Sequence, residues 1–92
     1  MDSRLIDVTA YTTFDFVEVQ AVGSDWLEES VGVLDATVPD HAPDRVELHL
    51  ELDPANLDHL DHHADIVLLS PSDARTLARD LEDAAARAEE EN

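Results

Sequence analysis

Cysteine and lysine are both absent from this chain of 92 residues, glycine occurs twice, and four aromatic side chains serve its whole length. Without cysteine there is no disulfide, no thiolate nucleophile and no cysteine-bearing zinc site. Without lysine the basic side chains are five scattered arginines, Arg4, Arg45, Arg75, Arg79 and Arg87, which form no stripe on which a phosphate backbone could lie. Two glycines, Gly23 and Gly32, cannot build a phosphate-cradling loop, and no serine stands in a Gly-x-Ser-x-Gly elbow. No long apolar run follows Met1-Asp2-Ser3-Arg4-Leu5, so neither a signal peptide nor a membrane span is expected, and a soluble cytoplasmic protein is.

What is abundant is negative charge. Twenty-three carboxylates against five arginines give a net charge of −18, well beyond the magnitude of about 2 to 8 that solubility asks of a small domain. A folded chain of this mass exposes on the order of 5,000 Å², which is roughly one net negative charge per 300 Å². In dilute buffer, with a screening length of about 10 Å, such charges oppose compaction; at molar salt the length falls to about 3 Å and the repulsion largely disappears. The acids are spread along the chain, with only Glu89, Glu90 and Glu91 forming a terminal run. They therefore do not describe an acidic tail, and the patterned apolar residues between them argue for a folded domain over disorder. Aspartate exceeds glutamate, and with lysine absent the composition suits a cell interior at molar salt, in the manner of extremely halophilic archaea.

Periodicity predicts the elements. Residues 5–12 alternate, with Ile6, Val8 and Ala10 on one side. Residues 14–22 are rich in β-formers, but their apolar set changes side between Phe16 and Val17, which requires either two covered faces or a bulge. Residues 23–30 are expected as a polar connection, and residues 31–38 resume alternation. The stretch Pro39-Asp40-His41-Ala42-Pro43-Asp44 is a turn. In residues 46–52 Val46, Leu48, Leu50 and Leu52 face one way and Glu47, His49 and Glu51 the other, a strand with one core face and one wet face. Ile66-Val67-Leu68-Leu69 reads as a short interior strand buried on both sides. Ser70 then caps a helix that begins with Pro71, with Asp73 in its first turn. Ala74, Leu77, Ala78, Leu81, Ala85 and Ala88 share one helical face. The expected architecture is one α+β domain over residues 1–92: an antiparallel sheet of about five strands with one C-terminal helix packed on one face.

At Val8-Thr9-Ala10-Tyr11-Thr12-Thr13-Phe14-Asp15, Asp25-Trp26 and Leu69-Ser70-Pro71-Ser72-Asp73-Ala74-Arg75 the chain resembles a family of short haloarchaeal proteins of unknown function. The resemblance spans nearly the full length and brings no activity, cofactor or catalytic residue with it.

Two clusters are candidates for function. Leu57-Asp58-His59-Leu60-Asp61-His62-His63-Ala64-Asp65 gathers three of the five histidines. On a helix His59, His62 and His63 would share a face; extended, His59, Asp61, His63 and Asp65 would line up. Either arrangement offers imidazole and carboxylate to a divalent metal, with His59, His62, His63 and Asp61 as the ligand set, although the spacing matches no defined zinc signature. A solvated loop is the plainer reading. Trp26 with Leu27, in an acidic connection, is either a partner-binding anchor or a cap on a core short of aromatics. No nucleophile, base and oxyanion-donor set stands out. The chain is therefore read as a non-enzymatic protein without a cofactor. It is expected to act through a protein partner or as a homodimer, through a sheet edge or the sheet face the helix leaves bare, with a metal-binding module as the alternative.

Overall fold

The computed structural model describes residues 12–91. Four strands, β1 (Thr12–Val22), β2 (Leu27–Thr37), β3 (Val46–Leu52) and β4 (Ala64–Leu69), are followed by one helix, α1 (Pro71–Glu90). The strands pair in chain order, β1-β2-β3-β4, and every pair is antiparallel. This is an α+β chain with four strands among the described residues, where about five were expected. All but the last residue of the predicted strand over 5–12 lies outside the described residues.

The change of side in β1 comes from a bulge. Phe14 pairs with Leu34 and Val17 with Gly32, so two residues of β1, Asp15 and Phe16, oppose Val33 alone. Phe16 takes the strain, with φ at 60°, a region that bulky side chains rarely enter. At the other end β2 starts at Leu27, earlier than its alternation suggests, because the β1–β2 connection closes within residues 23–26: the Gly23 amide donates to the Trp26 carbonyl at 2.9 Å.

The turn between β2 and β3 closes through Ala42 N–H to the Pro39 carbonyl and Arg45 N–H to the Ala42 carbonyl. Beyond β3, Asp53 caps a 3₁₀ turn at Pro54–Asn56 by accepting from the Ala55 amide at 2.9 Å. Ser70 caps α1, its Oγ accepting from the Asp73 amide at 3.0 Å, with Pro71 as the first helical residue.

Registers set out one face as rows of apolar side chains: Phe14, Leu34 and Leu50 across β1, β2 and β3, then Ala36, Leu48 and Val67 across β2, β3 and β4. Gly32 sits in the row of Val17 and Leu52, where an added Cβ would come within 2.9 Å of the Glu51 carbonyl oxygen. On this leucine face Leu34, Leu48 and Leu50 are only partly buried, and Phe14 and Val67 are exposed. The opposite face, expected to be wet, is the more buried one: Asp35 is 1% exposed, His49 3% and Glu51 0%. The buried apolar residues among those described are Val33 and Leu52.

The helix departs from expectation as well. Its sustained contacts are with β4, and none of its residues is buried; Leu81 is 60% exposed. The expected packing of α1 on a sheet face is therefore corrected. The cause is its connection: β4 ends at Leu69 and α1 begins at Pro71, leaving one residue to turn the chain where about two to six are usual. β4 is likewise, among the described residues, an edge strand with Ile66, Val67 and Leu68 exposed, not a strand buried on both sides. No helix among the described residues is long and apolar enough to cross a membrane.

Candidate functional site

The alternation of β3 puts Glu47, His49 and Glu51 side by side on one face, opposite Thr37, Asp35 and Val33 of β2. Burying three acids and an imidazole is unfavourable unless each polar atom finds a partner. Glu47 lies between two imidazoles, His49 Nε2 at 2.7 Å from one carboxylate oxygen and His41 Nε2 at 3.4 Å from the other. Thr13, on the neighbouring edge strand, donates its hydroxyl to Asp35 at 2.9 Å. The 53–63 connection brings His62 Nε2 to Glu51 at 2.8 Å. His49 Nδ1 is buried without a hydrogen-bond partner.

An imidazole oriented by a carboxylate is half of a general-base arrangement. Here the ring is 3% exposed and its second nitrogen is buried. The pair lies within β3 and is tied to the β2–β3 turn through His41, and a substrate has no exposed edge of the His49 ring to meet.

A second cluster joins the β1–β2 connection to the segment after the 3₁₀ turn. Trp26 stacks on the His59 ring, centroids 4.6 Å apart and planes within 7°. The indole lies over Gly23, where an added Cβ would sit 2.2 Å from the ring, so a larger residue there would displace it. Glu28, buried, accepts from the Asp58 amide at 3.0 and 3.1 Å and from both the amide and Nδ1 of His59. Burial works against ionisation of Glu28, but the hydrogen bonds from His59 and Asp58 outweigh it and hold its carboxyl below the ordinary value.

His63 is separate from both clusters. Its Nδ1 donates to the Asp61 carbonyl at 2.7 Å, and its Nε2 lies 3.4 Å from Asp65. The bond to the Asp61 carbonyl raises its pKa, desolvation works in the other direction, and the Asp65 carboxylate adds to the rise.

The four residues predicted as a metal-ligand set are thus distributed: His59 goes to Glu28, His62 to Glu51, and His63 to Asp65 and the backbone of Asp61. Among the described residues no group of three or more histidine, cysteine, aspartate or glutamate side chains is arranged to hold a metal ion. Trp26 is partly buried against Gly23 and His59, while Leu27, the first residue of β2, pairs with Val22, the last of β1, and both Leu27 and Val22 are exposed. The functional reading of the sequence missed Glu28, Asp35, Glu47 and Glu51. In a chain with 23 acids nothing local distinguishes a carboxylate bound for the interior from one bound for solvent.

The chain belongs to DUF6360, a family of unknown function, which it matches over residues 1–90. No curated protein and no solved structure matches it.

Proposed function

We propose that this member of the DUF6360 family acts without chemistry of its own, through protein association, and that its binding surface is the leucine face of the sheet together with the apolar stripe of α1. The observation that carries this reading is the partly open state of both surfaces in a chain that buries the carboxylates of Glu28, Asp35, Glu47 and Glu51. Phe14, Val67, Leu77 and Leu81 are exposed while Asp35, Glu47 and Glu51 are not. The chain exposes 6848 Å², whereas a compact monomer of its mass exposes about 5,300 Å². The excess, about 1,500 Å², is well above the roughly 800 Å² that each partner commits to a standard interface.

The charge belongs to the same proposal. A cytoplasm at molar salt screens the repulsion between acidic surfaces and strengthens apolar association. Light scattering in 2 to 3 M KCl, with binding of an apolar fluorescent dye to the isolated chain, tests the reading. An assembly heavier than 10.2 kDa, or a monomer that binds the dye strongly, is expected. A strict monomer that binds no dye would remove the proposal.

A further inference from the structure

The same surfaces identify their occupant. Ser70 alone joins β4 to α1 and is held from both sides: its own backbone is extended, at φ −68° and ψ 159°, its hydroxyl caps the helix, and Pro71 follows. Proline fixes its own φ and bars the residue before it from helical geometry. A hinge this short and stiff limits how far α1 can fold over its own sheet: its sustained contacts are with β4, and none of its residues is buried. The radius of gyration, 14.9 Å, exceeds the roughly 12 Å of a compact chain of this length.

Resting on the association reading above, we infer that the partner is a second copy of this chain: the Ala74, Leu77, Ala78, Leu81 and Ala85 stripe of each helix seats on the leucine face of the other chain's sheet, closing a two-fold dimer.

Three observations favour a second copy. The first is fit in kind. One chain presents a helix stripe made mostly of alanine, able to approach a flat surface closely, and a partly open sheet face on which Phe14 and Val67 are exposed beside the half-buried Leu34, Leu48 and Leu50. These are the two layers that cover each other in an α+β domain, and a short hinge is what exchanges such a layer between chains. The second is charge. Helix α1 holds Arg75, Arg79 and Arg87, three of the five arginines, while residues 12–69 hold Arg45 alone. With six acids beside its three arginines α1 is net −3, whereas residues 12–69, with fourteen acids and Arg45, are net −13; seating α1 on a neighbour's sheet therefore meets less repulsion than stacking sheet on sheet. The third is area. An excess of about 1,500 Å² per chain accommodates one helix given and one received. A one-way contact would leave one helix and one sheet face bare and would propagate into fibres.

Because the chain has no cysteine, single cysteines report the seating directly. Leu81→Cys chains mixed with Leu50→Cys chains in 3 M KCl, then oxidised, are expected to yield a disulfide-linked pair of unlike chains. Inserting six Gly/Ser residues between Leu69 and Ser70, which lets each helix fold back on its own sheet, is expected to weaken dimerisation at least tenfold with helicity retained by circular dichroism. A dimer that cross-links only between like positions, Leu50→Cys to Leu50→Cys, overturns the helix seating and leaves the association reading intact. A monomer that binds the apolar dye overturns the second copy as occupant, again leaving that reading; a monomer that binds none overturns both.

Discussion

The two faces of the sheet differ in the opposite sense from their compositions. The face carrying Leu34, Leu48 and Leu50 is partly open, and the face carrying Asp35, Glu47, His49 and Glu51 is closed. In most small domains apolar area removed from water is the main stabilising contribution. Here the buried apolar residues among those described are Val33 and Leu52, and the closed face is held by carboxylate–imidazole and hydroxyl–carboxylate bonds between strands and connections. Such bonds add modestly when complete and are costly when broken. The closed face therefore makes the isolated chain specific, and the open face holds stabilisation realised only when something covers it.

The largest expected effect follows from removing one partner on the closed face. Glu51→Ala leaves His62 without its carboxylate and a hole in a fully buried position, and should destabilise by about 3 kcal/mol. Leu48→Ala, at a partly exposed position, should cost about 1 kcal/mol in the dissociated chain, below the roughly 2 to 5 kcal/mol of a fully buried leucine. Denaturant melts at two protein concentrations check both: the Glu51 penalty should be independent of concentration, and the Leu48 penalty should grow with it. Equal and concentration-independent penalties would mean that the faces do not differ as described.

Salt should separate the faces next. Raising KCl from 0.1 to 3 M screens exposed carboxylates and leaves the buried pairs nearly untouched. The melting temperature should rise by about 10 °C, equivalent to roughly 2 kcal/mol for a domain of this size, while the Glu51→Ala difference stays constant. A melting temperature indifferent to KCl would contradict the reading of the charge as an adaptation to solvent.

The strands were legible where the alternation of apolar and polar residues is strict, as in residues 46–52, and so was the capped start of α1, where Ser70, Pro71 and Asp73 all act locally. The bulge was legible as one of two explanations for the change of side at Phe16 and Val17. What could not be read was which face is covered. Alternation reports that two faces differ; it does not report what lies over either. The helix shows the same limit, since its stripe states that it needs a surface but not that its sustained contacts are confined to β4 and leave every helix residue unburied. Of the candidate residues, Trp26 and His59 were singled out for unrelated reasons and prove to be stacked on each other, a contact between residues 33 apart that no local pattern encodes.

Protonation offers a smaller, signed effect. Glu28 has its carboxyl held below the ordinary 4.5 by the hydrogen bonds it accepts, so its stabilisation is fully present above 4.5 and is lost as pH falls through the lowered value. His63, held above the ordinary 6.5, stabilises fully below 6.5 and loses that contribution as pH rises through its raised value. Difference melts against Glu28→Gln and His63→Ala should therefore change on opposite sides of pH 5 to 6, the first on the acid limb and the second above 6.5. A Glu28→Gln difference that is flat from pH 3 to 6 would show that the clasp between the two connections does not depend on the carboxylate.

The smallest effect concerns two phenylalanines on either side of the point where β1 changes face. Phe14 pairs with Leu34 in the leucine rows, whereas Phe16 is 73% exposed at the bulge, with its φ at 60°. Asparagine tolerates that backbone better than a bulky residue does, and the phenyl ring of Phe16 makes little packing to lose. Phe16→Asn should then stabilise the chain by about 0.5 kcal/mol and leave association unchanged. Phe14→Ala should do the reverse, with little change in the melting temperature of the dilute chain and a weaker dimer by sedimentation equilibrium. If both substitutions weaken association alike, the contact surface continues through the bulge onto the second face, and the strained backbone at Phe16 is then maintained to present its ring.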